Sequence, residues 1–178
     1  GEEFPDMGWS QFGEEVESYI CERKYEDKFT GLEKTLLDQI EPLGVFQQEV
    51  WFDFGEFYLL GYIDDSTKDF KHIRDYKTAS DNSRKRYYKD DYYQLDLYSM
   101  WVEQEFGYLP DVMEVYIIER TGNPFRGGGR SVLKVGMQTW SHIRHTTPER
   151  LQWLREDIIR VANEISTAWK VYQKMLKL

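Results

Sequence analysis

Near the start of the chain, apolar residues recur every three or four positions, which is the spacing of one face of an α-helix. The residues that follow this pattern are Phe12, Val16, Tyr19 and Ile20. They predict a helix over residues 11–24. A second helix is predicted over residues 32–40, and it ends before Pro42 because a proline disfavours helical geometry in the residue before it.

A third helical stripe lies toward the other end of the chain. Thr147 is a suitable N-cap, and Pro148 is a suitable first residue for a long final helix. The apolar positions that follow have helical spacing, and we predict that they form core or an interface rather than a cofactor site. These positions are Leu151, Leu154, Ile158, Val161, Ile165 and Trp169.

Between these helices the apolar residues alternate with polar ones, as they do in β-strands. Three successive strands separated by short turns predict an antiparallel meander. A helix over residues 92–106 and two more strands follow, with polar loops at residues 79–91 and 121–130. The predicted strands cover residues 45–54, 57–63, 71–78, 112–119 and 132–139. This order predicts an α/β (α+β) fold with a central mixed β-sheet flanked by helices.

The composition suits one folded domain over residues 1–178. Hydrophobic residues make up 40% of the 178 residues and aromatic residues 16%, which is enough to build a core. No apolar run is long enough to cross a bilayer and no signal-peptide pattern is present, so we expect a cytoplasmic protein without membrane contact. The single cysteine, Cys21, excludes a disulfide, a multi-cysteine zinc site and a four-cysteine iron–sulfur cluster within the chain, and we predict that it is buried on the first helix.

Charge is distributed unevenly along the chain. Residues 120–178 contain 11 Lys and Arg but only 4 Asp and Glu, whereas residues 1–119 contain 12 and 28. The net charge of −9 argues against a protein that coats nucleic acid nonspecifically. The acidic part is suited to divalent cations, and the basic part is suited to a polyanion.

The candidate chemistry lies on the predicted second and third strands. Asp75 and Lys77 are two residues apart in a strand, so their side chains leave the same face. Asp64 is predicted to end the neighbouring strand, where a tight turn brings it beside Asp75. Converging carboxylates form a site suited to Mg²⁺ or Mn²⁺, and the backbone carbonyl of Tyr76 is a further candidate ligand. Lys77 would add a positive charge near a phosphate or its attacking water.

Three motifs follow one another between about residues 49 and 98. They run from Gly61 to Asp64, from Asp75 to Lys77, and from Gln94 to Tyr98. Their order and spacing resemble those of the PD-(D/E)XK nuclease superfamily, in particular its RecB-like exonuclease branch.

This resemblance implies a restriction-endonuclease-like core and a Mg²⁺- or Mn²⁺-dependent DNA exonuclease that acts on linear ends. Asp64, Asp75 and Lys77 would be catalytic, and Gln94 and Tyr98 would line the active site and hold a phosphate or nucleotide. The implied role is DNA recombination, DNA repair or the processing of phage DNA. A homo-oligomer and a single-strand annealing protein are the implied partners besides DNA. The iron–sulfur cluster of some RecB-like relatives is not expected.

The third metal ligand is open at this stage. RecB-like nucleases often carry a Gly-x-x-x-His sequence on the first helix, and here Glu17 stands four residues after Gly13, where the His would be. Glu17 is therefore the candidate implied by the resemblance, with Glu14 and Glu15 as alternatives. Asp65 similarly competes with Asp64, although we expect Asp65 to begin the turn.

A basic segment follows the catalytic strand and predicts a nucleic-acid surface, because Lys and Arg pair with phosphates and Tyr stacks on unpaired bases. Its candidate contacts are Arg84, Lys85, Arg86, Tyr87 and Lys89. Arg126 and Arg130 flank the Gly127-Gly128-Gly129 sequence and are weaker candidates.

Two other functions are compatible with the same residues. One is a structure-specific or site-specific endonuclease on the same fold. The other is a nucleic-acid-binding or assembly module that has lost catalysis, which the missing His on the first helix favours slightly and the intact Asp64, Asp75 and Lys77 oppose.

Overall fold

The computed structural model describes residues 8–55 and 57–175, and this part of the chain forms four α-helices and five strands. The helices are α1 (Trp9–Glu22), α2 (Gly31–Asp38), α3 (Gln94–Phe106) and α4 (Pro148–Met175). The strands are β1 (Val45–Asp53), β2 (Tyr58–Ser66), β3 (His72–Ala79), β4 (Val112–Thr121) and β5 (Lys134–Arg144). Each predicted helix and strand is present, with ends that differ by a few residues.

The five strands form one mixed sheet in the order β1-β2-β3-β4-β5. The first three are antiparallel neighbours, which confirms the predicted meander. β3 and β4 are parallel because the segment containing α3 returns the chain across the sheet between them, and β5 is antiparallel to β4. The predicted fold class, a mixed sheet flanked by helices, is therefore confirmed.

Each face of the sheet is covered by its own apolar cluster. Leu95 and Met100 of α3 pack with the strands on one face, where the start of α4 adds Leu151. On the other face, Phe12 and Tyr19 of α1 lie in a second cluster with residues of α2, β4 and β5. Cys21 belongs to this second cluster and is buried on α1, as predicted.

The sheet opens between β2 and β3. These strands pair at only two positions, Asp65 with Arg74 and Ser66 with Ile73, whereas β3 and β4 pair along the whole of β3. Beyond Asp65 and Arg74 the strands diverge. The opening created there lies directly at the residues of the candidate chemistry.

β2 continues farther than the sequence predicted. Asp64 and Asp65 were expected at the end of the strand and in the following turn, but both lie within β2, which ends at Ser66. The last four residues of the strand, from Ile63 to Ser66, are all buried. The turn was predicted too early because aspartates favour turns. In the structure, burial with hydrogen-bonding partners overrides that preference.

Two predicted loops contain short 3-10 helices. In the segment predicted as a polar loop at residues 79–91, Ser83–Tyr88 forms such a helix and buries Tyr87. The loop at residues 121–130 contains Pro124–Arg126 and the start of Gly129–Val132. A strand was predicted over residues 132–139, but Val132 belongs to the second of these helices. β5 therefore begins later than predicted, at Lys134, and it also ends later, at Arg144.

The final helix begins as the sequence predicts, with the Thr147 hydroxyl accepting a hydrogen bond from the backbone N–H of Arg150 at 3.2 Å. Leu151 and Leu154 are buried, but the later stripe residues Ile165 and Trp169 are exposed. Only the first part of the predicted stripe is therefore core within this chain. No helix among the described residues has the length and apolar character needed to cross a membrane.

A buried polar network ties β3 to β4 and β5 behind the opening. The Glu114 carboxylate accepts hydrogen bonds from Arg74 Nε at 2.7 Å and from the Ser141 hydroxyl, and it lies 3.0 Å from His72 Nε2. Burial alone would raise the pKa of Glu114, but these three partners outweigh it and lower the pKa to about 2. The carboxylate therefore stabilises the fold in its charged form.

Replacing Glu114 with Gln is expected to lower the free energy of unfolding by roughly 3 kcal/mol at pH 7, because Arg74 would lose the nearer of its two buried anionic partners, Glu114 and Asp65. The pKa of Glu114 falls on folding from 4.5 to about 2, so its contribution is present above pH 4.5 and is lost as the pH falls through about 2. Urea unfolding of both proteins between pH 2 and pH 7 measures this, with the exposed Asp111→Asn as control. An equal difference at both ends of the range would contradict the assignment.

Candidate active site

Asp75 and Lys77 leave the same face of β3, as strand geometry predicts. Lys77 Nζ lies 2.6 Å from Asp75 Oδ1, and Asp75 is fully buried. Burial lowers the pKa of Lys77, but the charges of Asp75 and Asp64 outweigh it and raise the pKa above its ordinary value. Lys77 is therefore a fixed positive charge at neutral pH.

Asp64 occupies the opening between β2 and β3. Its Oδ2 accepts a hydrogen bond from the backbone N–H of Tyr76 at 2.9 Å, at a position where the strands no longer pair. Burial, followed by the charges of Asp75 and Glu17, raises the pKa of Asp64 well above its ordinary value. The sheet thus brings together two carboxylates that repel each other.

The structure gives Asp65 a different role from Asp64. Its carboxylate accepts backbone hydrogen bonds from Leu43 at 2.8 Å and Gly44 at 3.1 Å. It also accepts a hydrogen bond from the Tyr76 hydroxyl at 3.0 Å. Asp65 therefore anchors the segment that enters β1, which leaves Asp64 as the aspartate of β2 that interacts with Asp75.

Among the three glutamates considered on α1, Glu17 is the one associated with the two aspartates. Burial is the largest influence on its pKa and raises it, and the charges of Lys77 and Asp75 both act on it. Glu15 is instead buried in an ion pair with Arg130, whose Nε lies 2.6 Å from the carboxylate, and Glu14 is exposed. Glu14 and Glu17 both line a cavity with Asp64, but of the three glutamates Glu17 is the one that also lines a cavity with Lys77.

Gln47 is a residue of this site that sequence reasoning missed. Its side-chain amide donates a hydrogen bond to Glu17. Its φ is 48°, a left-handed value that non-glycine residues rarely adopt and that is often associated with functional sites. The sequence signal was weak, because Gln47 lies in an ordinary alternating strand pattern.

The donor atoms suit a hard divalent cation in kind, because they are carboxylate oxygens in a buried setting. Across residues 8–55 and 57–175, however, no three His, Cys, Asp or Glu side chains already converge as a metal-binding group. Both oxygens of Asp75 have protein partners, Lys77 at Oδ1 and Tyr92 at Oδ2. The mutual repulsion of Asp64, Asp75 and Glu17 is the feature that a bound cation would relieve.

A hydrogen-bonded series runs from Asp75 to α3. The Tyr92 hydroxyl lies 2.9 Å from Asp75 Oδ2 and 2.8 Å from Gln94 Oε1, and Gln94 Nε2 donates to the Tyr98 hydroxyl at 2.7 Å. The predicted residues Gln94 and Tyr98 thus connect to the centre through Tyr92. Tyr92 was not predicted as a site residue, and its position two residues before Gln94 was the only signal.

Two cavities of about 470 Å³ each adjoin the centre and differ in charge. The acidic one is lined by Glu14, Glu17 and Asp64, among others. The other is lined by Lys77, Arg86, Tyr87, Lys89, Asp91 and Tyr92. Arg86 and Lys89 are exposed, so two of the predicted nucleic-acid contacts stand beside Lys77.

The remaining predicted nucleic-acid contacts are placed differently. Arg84 is held by Asp81 at 2.9 Å, and Tyr87 is buried, which leaves its ring unavailable for stacking on a base. Arg130 pairs with Glu15, so its charge is already compensated inside the protein. Lys85 is exposed, and the side chain of Arg126 lies outside the described part of the structure.

Comparison with known proteins identifies the fold. No protein-family model matches the chain, and no curated protein matches its sequence. Among solved structures, the chain is similar to a crystal structure from Eubacterium rectale titled "Putative exonuclease". The TM-score is 0.56 at 15% identity, and the match covers 93% of this chain and 68% of that one. The two chains share a fold.

Replacing Asp64 with Asn is expected to raise the free energy of unfolding by about 1 kcal/mol or more in EDTA at pH 8, because it removes a buried charge that repels Asp75. The Asn oxygen can still accept the Tyr76 N–H. Because folding raises the pKa of Asp64, its charge destabilises the folded wild type above that raised pKa. This destabilisation disappears as the pH falls below 3.8, the ordinary pKa of an aspartate. The gain measured by urea unfolding should therefore shrink toward pH 4. A loss of stability at pH 8 would show that the charge is well compensated.

Proposed function

We propose that this protein is a divalent-metal-dependent DNA exonuclease of the PD-(D/E)XK superfamily, in its RecB-like branch. One observation carries the proposal: Asp64, Asp75 and Lys77 meet at the opening between β2 and β3, with the carboxylates buried and mutually repelling. Buried carboxylates with perturbed pKa values beside a fixed cation are typical of functional sites, and phosphodiester hydrolysis requires such concentrated charge. The fold shared with a structure titled as an exonuclease supports the same class.

Mg²⁺ or Mn²⁺ is the cofactor that these donors suit. Asp64, Asp75, Glu17 and the backbone carbonyl of Tyr76 would hold it. The N–H and C=O of a strand residue leave the same edge, and the Tyr76 N–H faces Asp64 in the opening. A bound ion of this kind lowers the pKa of a water molecule and neutralises charge that develops on the phosphate.

The other residues act by position and charge. Lys77 is protonated, so it would stabilise negative charge on the phosphate rather than accept a proton. Tyr92 fixes the second oxygen of Asp75, and Gln94 and Tyr98 extend from it along α3, where they would orient the substrate. Arg86 and Lys89, beside Lys77, would contact the phosphates of the approaching strand.

In the cell, such an enzyme would act on linear DNA ends in recombination, repair or the processing of phage DNA. A homo-oligomer and a single-strand annealing protein are its proposed partners. The same centre is compatible with a structure-specific endonuclease, so the substrate must be tested directly.

With Mg²⁺, the wild type is expected to degrade end-labelled linear DNA and to leave covalently closed circular DNA intact, because an exonuclease requires an end. Asp75→Asn and Lys77→Met should each lower the rate by about 100-fold or more, the scale of removing a charge that stabilises the transition state. Gel analysis of both DNA forms with Mg²⁺ and Mn²⁺ measures this.

The control is Asp111→Asn, which removes an exposed carboxylate paired with Lys71 and should leave the rate unchanged. Cleavage of closed circles would identify an endonuclease on the same fold. If the wild type is inert on DNA and RNA with both metals, the nuclease proposal fails and a binding module takes its place.

A further inference from the structure

A third cavity, of about 320 Å³, lies next to the candidate active site and shares Glu17 and Lys77 with it. Arg120, near the end of β4, and Trp9, at the start of α1, form another part of its lining together with Arg86. Around this cavity stand three cations, Lys77, Arg86 and Arg120, and a single carboxylate, Glu17. Its lining is therefore positively charged.

The two arginines here differ from most arginines of the protein, which have carboxylate partners within 4.0 Å. Those paired arginines are Arg23, Arg74, Arg84, Arg130, Arg144, Arg150 and Arg160. In the described part of the chain, neither Arg86 nor Arg120 forms such a pair. Their guanidinium groups lie instead over aromatic rings, Arg120 at 5.3 Å from the Trp9 ring centroid and Arg86 at 4.5 Å from that of Tyr87.

Arg120 is half-buried, so its uncompensated charge is unfavourable. Burial lowers its pKa, and the nearby charge of Arg86 lowers it further, although an arginine remains protonated at neutral pH. Two cations held near each other, neither of them paired with a carboxylate among the residues that the structure describes, leave a site that an anion would stabilise. The rings of Trp9 and Tyr87 limit the orientations of the two groups, so little entropy is lost when they bind.

We propose that Arg86 and Arg120 form a phosphate-binding subsite that holds a phosphate of the substrate strand other than the one being hydrolysed. The guanidinium fork matches phosphate oxygens in a bidentate manner. Lys77, Arg86 and Tyr87 line both this cavity and the basic cavity beside the active site, so one strand can contact both places. This inference rests on the proposed function for the identity of the ligand as nucleic acid.

The position of this subsite allows two sources for the phosphate: a terminal monophosphate or an internal diester. Both present the same oxygens to the arginines. They differ in whether the end of the strand must be phosphorylated, and oligonucleotides with different ends distinguish them.

The test measures binding without turnover, by fluorescence anisotropy of short labelled single-stranded oligonucleotides in EDTA. Arg120→Gln and Arg86→Gln are each expected to weaken binding about 10-fold, as for the loss of a charge-assisted contact. Each should also reduce the slope of log affinity against log salt concentration by the amount that corresponds to about one phosphate contact. The control Arg160→Gln removes an exposed arginine of α4 and should change neither quantity. Arg120→Lys should restore part of the affinity, because it keeps the charge but loses the fork.

Three oligonucleotides, ending in a 5′-phosphate, a 3′-phosphate or hydroxyls alone, identify the source. A loss confined to one phosphorylated end supports a terminal phosphate, and an equal loss on all three supports an internal one. Unchanged affinity and salt dependence in folded Arg86→Gln and Arg120→Gln would overturn the subsite. If Arg120→Gln does not fold, Arg120→Lys carries the test, and a partial loss of affinity is expected for it.

The two proposals can fail separately. The binding measurement uses no metal and no cleavage, whereas the nuclease assay tests Asp75 and Lys77. If the wild type cleaves nothing, but the arginine variants bind the oligonucleotides more weakly than the wild type does, the subsite is supported and the nuclease is rejected. Cleavage with unaltered binding would do the opposite.

Discussion

A backbone amide inside a protein requires an acceptor, and at Tyr76 that acceptor is the carboxylate of Asp64. Because β2 and β3 separate beyond Asp65 and Arg74, no strand carbonyl pairs with this amide. The side chain that takes its place is buried near Asp75, and this burial, followed by repulsion from Asp75 and Glu17, raises the pKa of Asp64. Lys77 offsets part of that repulsion. The opening in the sheet and the charge at the centre are thus two consequences of one change in strand pairing.

The positive charge of the chain is divided between structural ion pairs and the surroundings of the centre. Residues 120–178 are rich in Lys and Arg, and from the sequence we expected this part of the chain to suit a polyanion. Arg130, in the segment before β5, pairs with the buried Glu15 of α1. Arg144 of β5 and Arg150 of α4 both pair with the buried Asp96 of α3. Three of the 11 Lys and Arg residues of this part are therefore held in structural ion pairs. Of the arginines that adjoin the centre, Arg86 lies on the short helix after β3, and Arg120 of β4 is the first residue of this basic part.

The elements of the fold could be predicted because they depend on local periodicity. Helices and strands repeat their apolar residues with different periods, so their order, the meander and the mixed sheet could be inferred from one sequence. Boundaries were less accurate at polar residues. Asp64 was placed at the end of a strand and Asp65 in the following turn, because aspartates favour turns. In the structure both lie within β2, buried and with hydrogen-bond partners. Tyr87 was likewise expected at the surface, and its ring packs edge-on against Tyr92.

For the site, the sequence by itself determined that Asp75 and Lys77 share a face, since alternation in a strand does not depend on the rest of the fold. Motif order also identified Asp64, Gln94 and Tyr98 as candidates. Only the tertiary structure decided that Glu17, rather than Glu14 or Glu15, is associated with the aspartates, that Tyr92 links Asp75 to α3, and that Arg120 joins Arg86. These contacts connect residues far apart in the chain, and their choice depends on which helix packs against which strand, information that no local pattern contains.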